Sequence, residues 1–325
     1  MDKITSQDRE FLQLVARAAF ANPFSQEAVD LRKQLANKPS ERDLRKIAIK
    51  ATHAMSAYLE DLDKRGLANI KAYTGEDREL VMILILFTVY DRAIPELDIH
   101  LEQQQKRGDS PIAAPFAAQV LKDLSTYGFS TLECLNYLAM FFQIRRAFYF
   151  VDRSLVGRSD CMRALRRRLW NNIFTSDIRW YVRHLWNRME DYSLMLLGET
   201  GTGKGAAAQA IGRSGLIPYD DRKGCFVESF AQAFNSINLS EFTETLIESE
   251  LFGHRKGAFT GAVDHYEGAF ARCSPHGSIF LDELGDVAAP VQIKLLNVIQ
   301  NRTFTPVGSR DRKRFQGRVI AATNK

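Results

Sequence analysis

The chain has 325 residues, 45% hydrophobic and 26% charged, with a formal net charge of +5; this describes a globular protein long enough for two ordinary domains, each with its own core. The modest positive balance favours an anionic partner but does not separate nucleic acid from phosphate or an acidic protein. Four cysteines without a CxxC pair suggest neither a disulfide framework nor a zinc site, and neither the polar start Met1-Asp2-Lys3 nor the short apolar run Leu80 to Phe87 reads as a membrane segment, so a reducing, cytoplasmic location is expected.

From Met1 to about Gly157 the pattern is helical almost throughout. Ser40-Glu41-Arg42-Asp43 resembles a helix start, followed by Leu44, Ala48, Ala51, Met55, Tyr58 and Leu62 along one face. Ser130-Thr131-Leu132-Glu133 is a second capping box, leading into Leu135, Leu138, Phe142 and Phe148, and Gly108-Asp109-Ser110-Pro111 breaks the pattern between the two. The aromatic cluster from Tyr127 to Phe150 reads as core, with a ligand pocket as the alternative. His53 and His100 have no partner at motif spacing. Residues 1–157 are expected to fold alone as a mainly α-helical domain.

Residues 158–190 form a basic junction. Arg158, Arg163, Arg166, Arg167, Arg168, Arg179, Arg183 and Arg188 stand against Asp160 and Asp177, with Met162, Leu165, Leu169 and Ile173 as an apolar stripe behind them. That reads as an amphipathic, solvated helix, with a phosphate-binding or subunit-interface role as the alternative. After Met189 the pattern changes to short apolar strands and glycine-rich turns.

Tyr192 to Leu197 reads as a buried strand, followed by Gly198-Glu199-Thr200-Gly201-Thr202-Gly203-Lys204 and an alanine-rich helix from Gly205 to Ile211. Strand, glycine loop, lysine and helix make a P-loop, in which backbone N–H groups and the helix N-terminus surround phosphate oxygens and the lysine ammonium meets the outer phosphates. Gly205 occupies the place where most P-loops carry the hydroxyl that reaches magnesium, so magnesium would depend more on nucleotide, water and a downstream carboxylate.

That carboxylate follows the apolar strand Ser278 to Leu281, as Asp282-Glu283. Asp282 would serve magnesium and Glu283 would polarise the water attacking the terminal phosphate. Arg318 to Thr323 is a further strand ending at Asn324, an amide suited to orienting that water or contacting the terminal phosphate. Phe234 to Asn238 is another strand that ends in an amide.

One stretch resists a core reading. Gly257-Ala258-Phe259-Thr260-Gly261-Ala262 places a phenylalanine between two glycines, directly after the charged run His254-Arg255-Lys256. Glycines weaken both helix and strand, so this segment is a loop that presents something.

GETGTGKG, ESELFGHRKGAFTGA, GSIFLDELGD and RVIAATN, in this order, resemble the central AAA+ domain of sigma-54-dependent transcriptional activators, over about residues 191–325. The resemblance implies an α/β P-loop (AAA+) domain with a parallel sheet, preceded by a helical regulatory domain. It implies ATP and Mg2+ as cofactors, sigma-54 RNA polymerase holoenzyme as partner, and a hexameric ring of identical chains. Gly257 to Ala262 would touch sigma-54 at the tip of a helical insertion. Asn324 would be the sensor amide, and Asn238 would hold Glu283 inactive until sigma-54 is engaged. Gly205 departs from the glutamate usual in the family. Arginine fingers, lid and a DNA-binding helix-turn-helix would lie beyond Lys325, so none is assigned here and hydrolysis by the chain as given is expected to be slow. Two other readings stay open: a non-hydrolysing protein that binds nucleotide, sigma-54 or sister subunits, and a sensor whose first half captures a ligand.

Overall fold

The structure is a computed structural model that describes residues 4–188 and 191–324. Several of its helices begin where short polar side chains take up free N–H groups. Thr5 and Asp8 form a capping box at α1 (Ser6–Phe20), and Ser25 caps α2 (Gln26–Leu35). α3 (Leu44–Lys64) is capped by Asp43, which accepts from the N–H groups of Arg45 and Lys46. The cap lies three residues after Ser40 because Glu41 is engaged by the N–H groups of Arg42 and Asp43. α4 (Gly75–Arg107) ends where Gly108 adopts φ +78°, and α5 (Ala117–Thr126) follows. The Ser130/Glu133 box opens α6 (Thr131–Ser154). The basic segment forms α7 (Asp160–Phe174), with Leu169 and Ile173 buried, then the short α8 (Ile178–Trp180) and a π-helical turn.

The remainder is built on four parallel strands in the order β1 (Leu194–Leu197), β8 (Arg318–Thr323), β5 (Ser278–Asp282) and β4 (Phe234–Asn238). α9 (Lys204–Gly212) follows β1, and the small hairpin β2 (Tyr219–Asp220) and β3 (Cys225–Phe226) precedes β4. α10 (Glu244–Phe252) and α11 (Ala269–Arg272) lie between β4 and β5. α12 (Ala289–Asn301) and the hairpin β6 (Thr303–Phe304) and β7 (Lys313–Arg314) lead into β8. The expected buried first strand is in fact an outer one: Met195 and Leu197 are 48% and 71% exposed, because β8 pairs with one side of it only.

Strand residues alternate between two cores, as a period of two requires. Phe280, Ile320 and Ala322 belong to one apolar cluster with α9, while Ile279, Leu281, Val319 and Ala321 join the other with α10, α11 and α12. The first cluster does not stop at α9. It continues through Phe142 and Phe150 of α6 to Leu84 of α4 and Leu12 of α1. Phe142 stacks on Phe226 at 4.0 Å, and Phe150 meets Phe230 edge-on at 5.3 Å. The change of pattern near Gly157 is therefore no boundary in packing, since α9 is covered by the sheet on one side and by α6 and α7 on the other.

Candidate functional site

The segment between β1 and α9 is a closed loop. Gly201 and Gly203 have φ of +82° and +90°, with nothing within 4 Å of a Cβ at either position. Other residues adopt that conformation only at a cost. The Thr202 hydroxyl donates to the Glu199 carbonyl at 2.7 Å, and the Lys204 ammonium donates to the carbonyls of Gly198 (2.8 Å) and Glu199 (3.1 Å). Lys204 thus sits at the mouth of the loop, over the first turn of α9, whose N–H groups have no intrahelical partner. At Gly205 a Cβ would meet only Phe280 Cε1, at 4.0 Å, so packing does not impose glycine there.

Parallel register brings the other candidates to the same edge. Leu197 pairs with Thr323, Leu281 with Ala321, and Asn238 with Asp282. The loop, Asn324, Asp282-Glu283 and Asn238 therefore all follow the carboxyl ends of adjacent strands, where α/β sheets form ligand sites. Asn324 Nδ2 donates to Thr200 Oγ1 at 3.3 Å, which ties β8 to the loop. Glu283 has φ +55° and ψ +44°, and its buried Oε2 has no hydrogen-bond partner. Its N–H donates to Asp282 Oδ1 at 3.1 Å. Asn238 caps the turn after β4: its Oδ1 accepts from the Ser240 N–H (3.2 Å) and hydroxyl (2.8 Å), and its Nδ2 donates to Glu241 Oε1 (3.1 Å). It makes no hydrogen bond to Glu283.

These residues fit a nucleotide triphosphate. An open glycine cradle, a helix N-terminus and an ammonium held only by carbonyls suit phosphate oxygens. No group of three or more His, Cys, Asp or Glu side chains among the described residues could hold a metal. A magnesium ion here would rest on Asp282, the phosphates and water.

The hexapeptide Gly257 to Ala262 projects from the chain after α10. Its base is closed by His254 and Tyr266, each N–H donating to the other's carbonyl at 3.0 Å, and the Gly257 N–H donates to the Ala262 carbonyl at 2.8 Å. Gly257 and Gly261 turn at φ +79° and +102° with open space beside them. Phe259 is 37% exposed and lies edge-on to the His254 ring at 5.0 Å. Thr260 is exposed and Ala262 buried. The loop leans on the segment between β6 and β7: the Arg255 N–H donates to the Val307 carbonyl (3.0 Å), the Val307 N–H donates to the Gly253 carbonyl (2.8 Å), and Arg255 pairs with Asp311. A Cβ on Gly308 would lie 2.7 Å from that of Ala258. The sequence reading missed this support, although the turn residues Pro306, Gly308 and Ser309 mark it.

It also missed two buried polar residues on α6. Arg146, fully buried, donates to the carbonyls of Arg213 (2.8 Å) and Gly215 (2.6 Å), and Gln143 Nε2 donates to that of Ser214 (3.0 Å). Together they cap the C-terminal end of α9. Burial pulls the Arg146 guanidinium down to about 9. Polar residues placed inside the aromatic run from Phe141 to Phe150 were the available clue.

Residues 179–325 match the family described as the Sigma-54 interaction domain. The transcriptional regulatory protein GlrR of Escherichia coli is 42% identical over 135 residues, covering 42% of this chain and 28% of GlrR. The sigma-54-dependent transcriptional activator SfnR of Pseudomonas putida is 44% identical over 133 residues, covering 41% of this chain and 32% of its own. The DNA-binding transcriptional regulator NtrC of Rhizobium meliloti is 40% identical over 171 residues, covering 53% and 30%. The chain thus spans about a third or less of the length of these relatives. Among solved structures, NtrX from Brucella abortus is 20% identical with a TM-score of 0.38, covering 65% of this chain and 43% of that one. No described helix is long and apolar enough to cross a membrane. With the P-loop, the Asp282-Glu283 strand end and the glycine-hinged hexapeptide in one parallel α/β unit, residues 179–325 are a sigma-54 interaction domain of the kind found in sigma-54-dependent transcriptional activators.

Proposed function

We propose that this chain binds ATP with magnesium at Gly198 to Gly205 and uses its hydrolysis to remodel sigma-54 RNA polymerase through Gly257 to Ala262. The observation that carries the reading is the shared sheet edge, from which the phosphate loop, Asn324 and Asp282-Glu283 all extend. Lys204 exchanges its loop carbonyls for phosphate oxygens, a charge-assisted contact. Magnesium neutralises phosphate charge when bound, with Asp282 as its protein ligand. Glu283, its Oε2 unpartnered, takes a proton from the attacking water, and Asn324 orients that water. Asn238, on the strand beside Asp282, restrains Glu283 by exchanging its present partners Ser240 and Glu241 for the carboxylate. Phe259 and Thr260 touch sigma-54, and a ring of six chains brings the loops together. Residues 1–157 act as the regulatory input region and residues 158–190 as the junction. The work is done in the cytoplasm, where polymerase is.

Fluorescent-nucleotide titration and sigma-54 capture test this. Lys204→Ala should weaken ATP binding by about tenfold or more, since about 1.4 kcal/mol corresponds to each factor of ten. Thr260→Ala should keep ATP binding and lose sigma-54. Equal ATP affinity for Lys204→Ala, or full capture by Thr260→Ala, would sink the corresponding half of the proposal.

A second reading, a nucleotide-dependent binder of sigma-54 that does not hydrolyse, is favoured by Gly205, which has no hydroxyl to offer magnesium. Phosphate release that disappears in Glu283→Ala supports the first reading. Tight ATP binding without release, with sigma-54 present, supports the second.

A further inference from the structure

At the amino-terminal edge of the sheet, opposite the phosphate loop, a cavity of about 470 Å³ opens between the end of α9, the start of β8 and the β6–β7 hairpin. Its wall carries Arg188, Arg302, Arg314, Arg318 and His276, and the one carboxylate among its described lining residues is Asp191. Asp191 lies 3.8 Å from Arg302. Arg318 is nine-tenths buried. Its Nε donates to the Tyr192 carbonyl at 3.0 Å and its Nη2 to the Asn172 carbonyl at 3.3 Å. Neither partner carries a charge. Buried charges in proteins are ordinarily paired, because carbonyl dipoles replace lost hydration without neutralising the ion. Burial accordingly pulls Arg318 down to about 10.

A second buried guanidinium lies behind the wall. Gly215, which lines the cavity, accepts from the fully buried Arg146, whose other partner is also a carbonyl. Arg188 and Arg314 stand exposed at the rim. One buried guanidinium, Arg318, and two rim groups, Arg188 and Arg314, thus face a space of small-molecule size, too large for a single phosphate or chloride ion.

We propose that this cavity binds a small phosphorylated polyanion, at a site separate from the nucleotide loop. Its phosphates lie against Arg314 and Arg188 at the mouth and replace the missing countercharge of Arg318, and its body fills the space over Gly215.

Inorganic tripolyphosphate is the probe, titrated calorimetrically into the full chain carrying Lys204→Ala, which weakens the phosphate loop. Binding is expected at sub-millimolar concentration, weakened about tenfold or more by adding Arg188→Ala and Arg314→Ala, and weakened again by raised salt. These exposed rim positions are replaced without disturbing the fold, which the thermal melt checks. The double replacement in the otherwise unaltered chain should leave ATP affinity unchanged. The proposal is overturned if tripolyphosphate gives no binding heat at about 10 mM, if the rim replacements leave its affinity unchanged, or if sulfate at matched ionic strength competes equally.

Discussion

Arg146 of α6 donates to the Gly215 carbonyl across 2.6 Å, so a residue of the helical region closes the end of the very helix whose beginning forms the phosphate loop. With Gln143 on the Ser214 carbonyl, α6 supplies partners to the carbonyls of the cap residue Arg213 and of the two residues that follow it.

Arg146→Met should therefore destabilise the chain. Two part-buried carbonyls lose their donor, which costs up to about 1–3 kcal/mol, while the apolar replacement removes a desolvated charge and offsets part of it. Urea unfolding followed by circular dichroism should show a lower midpoint with unchanged slope. An unchanged midpoint would mean that the clasp contributes nothing.

The shared core bears on whether residues 1–157 stand alone. Without the rest of the chain Phe142 loses Phe226, Phe150 loses Phe230, and Arg146 loses both carbonyls. We expect the fragment to keep its helical spectrum yet bind a hydrophobic dye strongly and unfold at lower urea than the whole chain. A fragment with no dye binding and full stability would show that the interface is incidental.

His100 makes stability depend on pH. Its ring is buried against Phe116, Phe142 and Phe226, and burial, helped by Arg146, pushes it down to about 4. In the unfolded chain it takes a proton near its ordinary 6.5. A lowered folded value means that the stabilisation is complete above pH 6.5 and is lost as pH falls from there towards 4, about 3 kcal/mol in all. Denaturation midpoints measured across that window should fall less steeply in His100→Leu. Parallel curves for the two proteins would exclude the histidine as the cause.

Gly205→Ala should be tolerated and stabilising. The position is helical and a Cβ would reach only Phe280, at 4.0 Å. Removing backbone freedom from the unfolded chain is worth about 0.4–1 kcal/mol. A lower melting temperature would reveal a contact that the glycine leaves room for.

The order of the site along the chain was legible because each part is local. Strand, glycine loop and lysine are contiguous, and Asp282-Glu283 and Asn324 each end an apolar run. The Ser130/Glu133 box was equally plain, since both partners lie within four residues. What stayed hidden depends on distant chain. Nothing near Met195 announces an outer strand, because the neighbour of this parallel strand, β8, lies far along the sequence. Arg146 reads as one more charge on a helix until Arg213 and Gly215 are brought beneath it. The seam at Gly157 showed in composition but not in packing, because Phe142 and Phe150 look like core residues whichever side supplies their neighbours.

Glu283 holds a backbone conformation that glycine adopts freely and other residues reach at about 1–2 kcal/mol. Under the role proposed for it, this sets durability against turnover at one position. A library sorted solely for survival under heat or protease should enrich Glu283→Gly, and the enriched clones would hold ATP without cleaving it. The strained glutamate is thus a place where the toughest version of the molecule and the working version are different molecules.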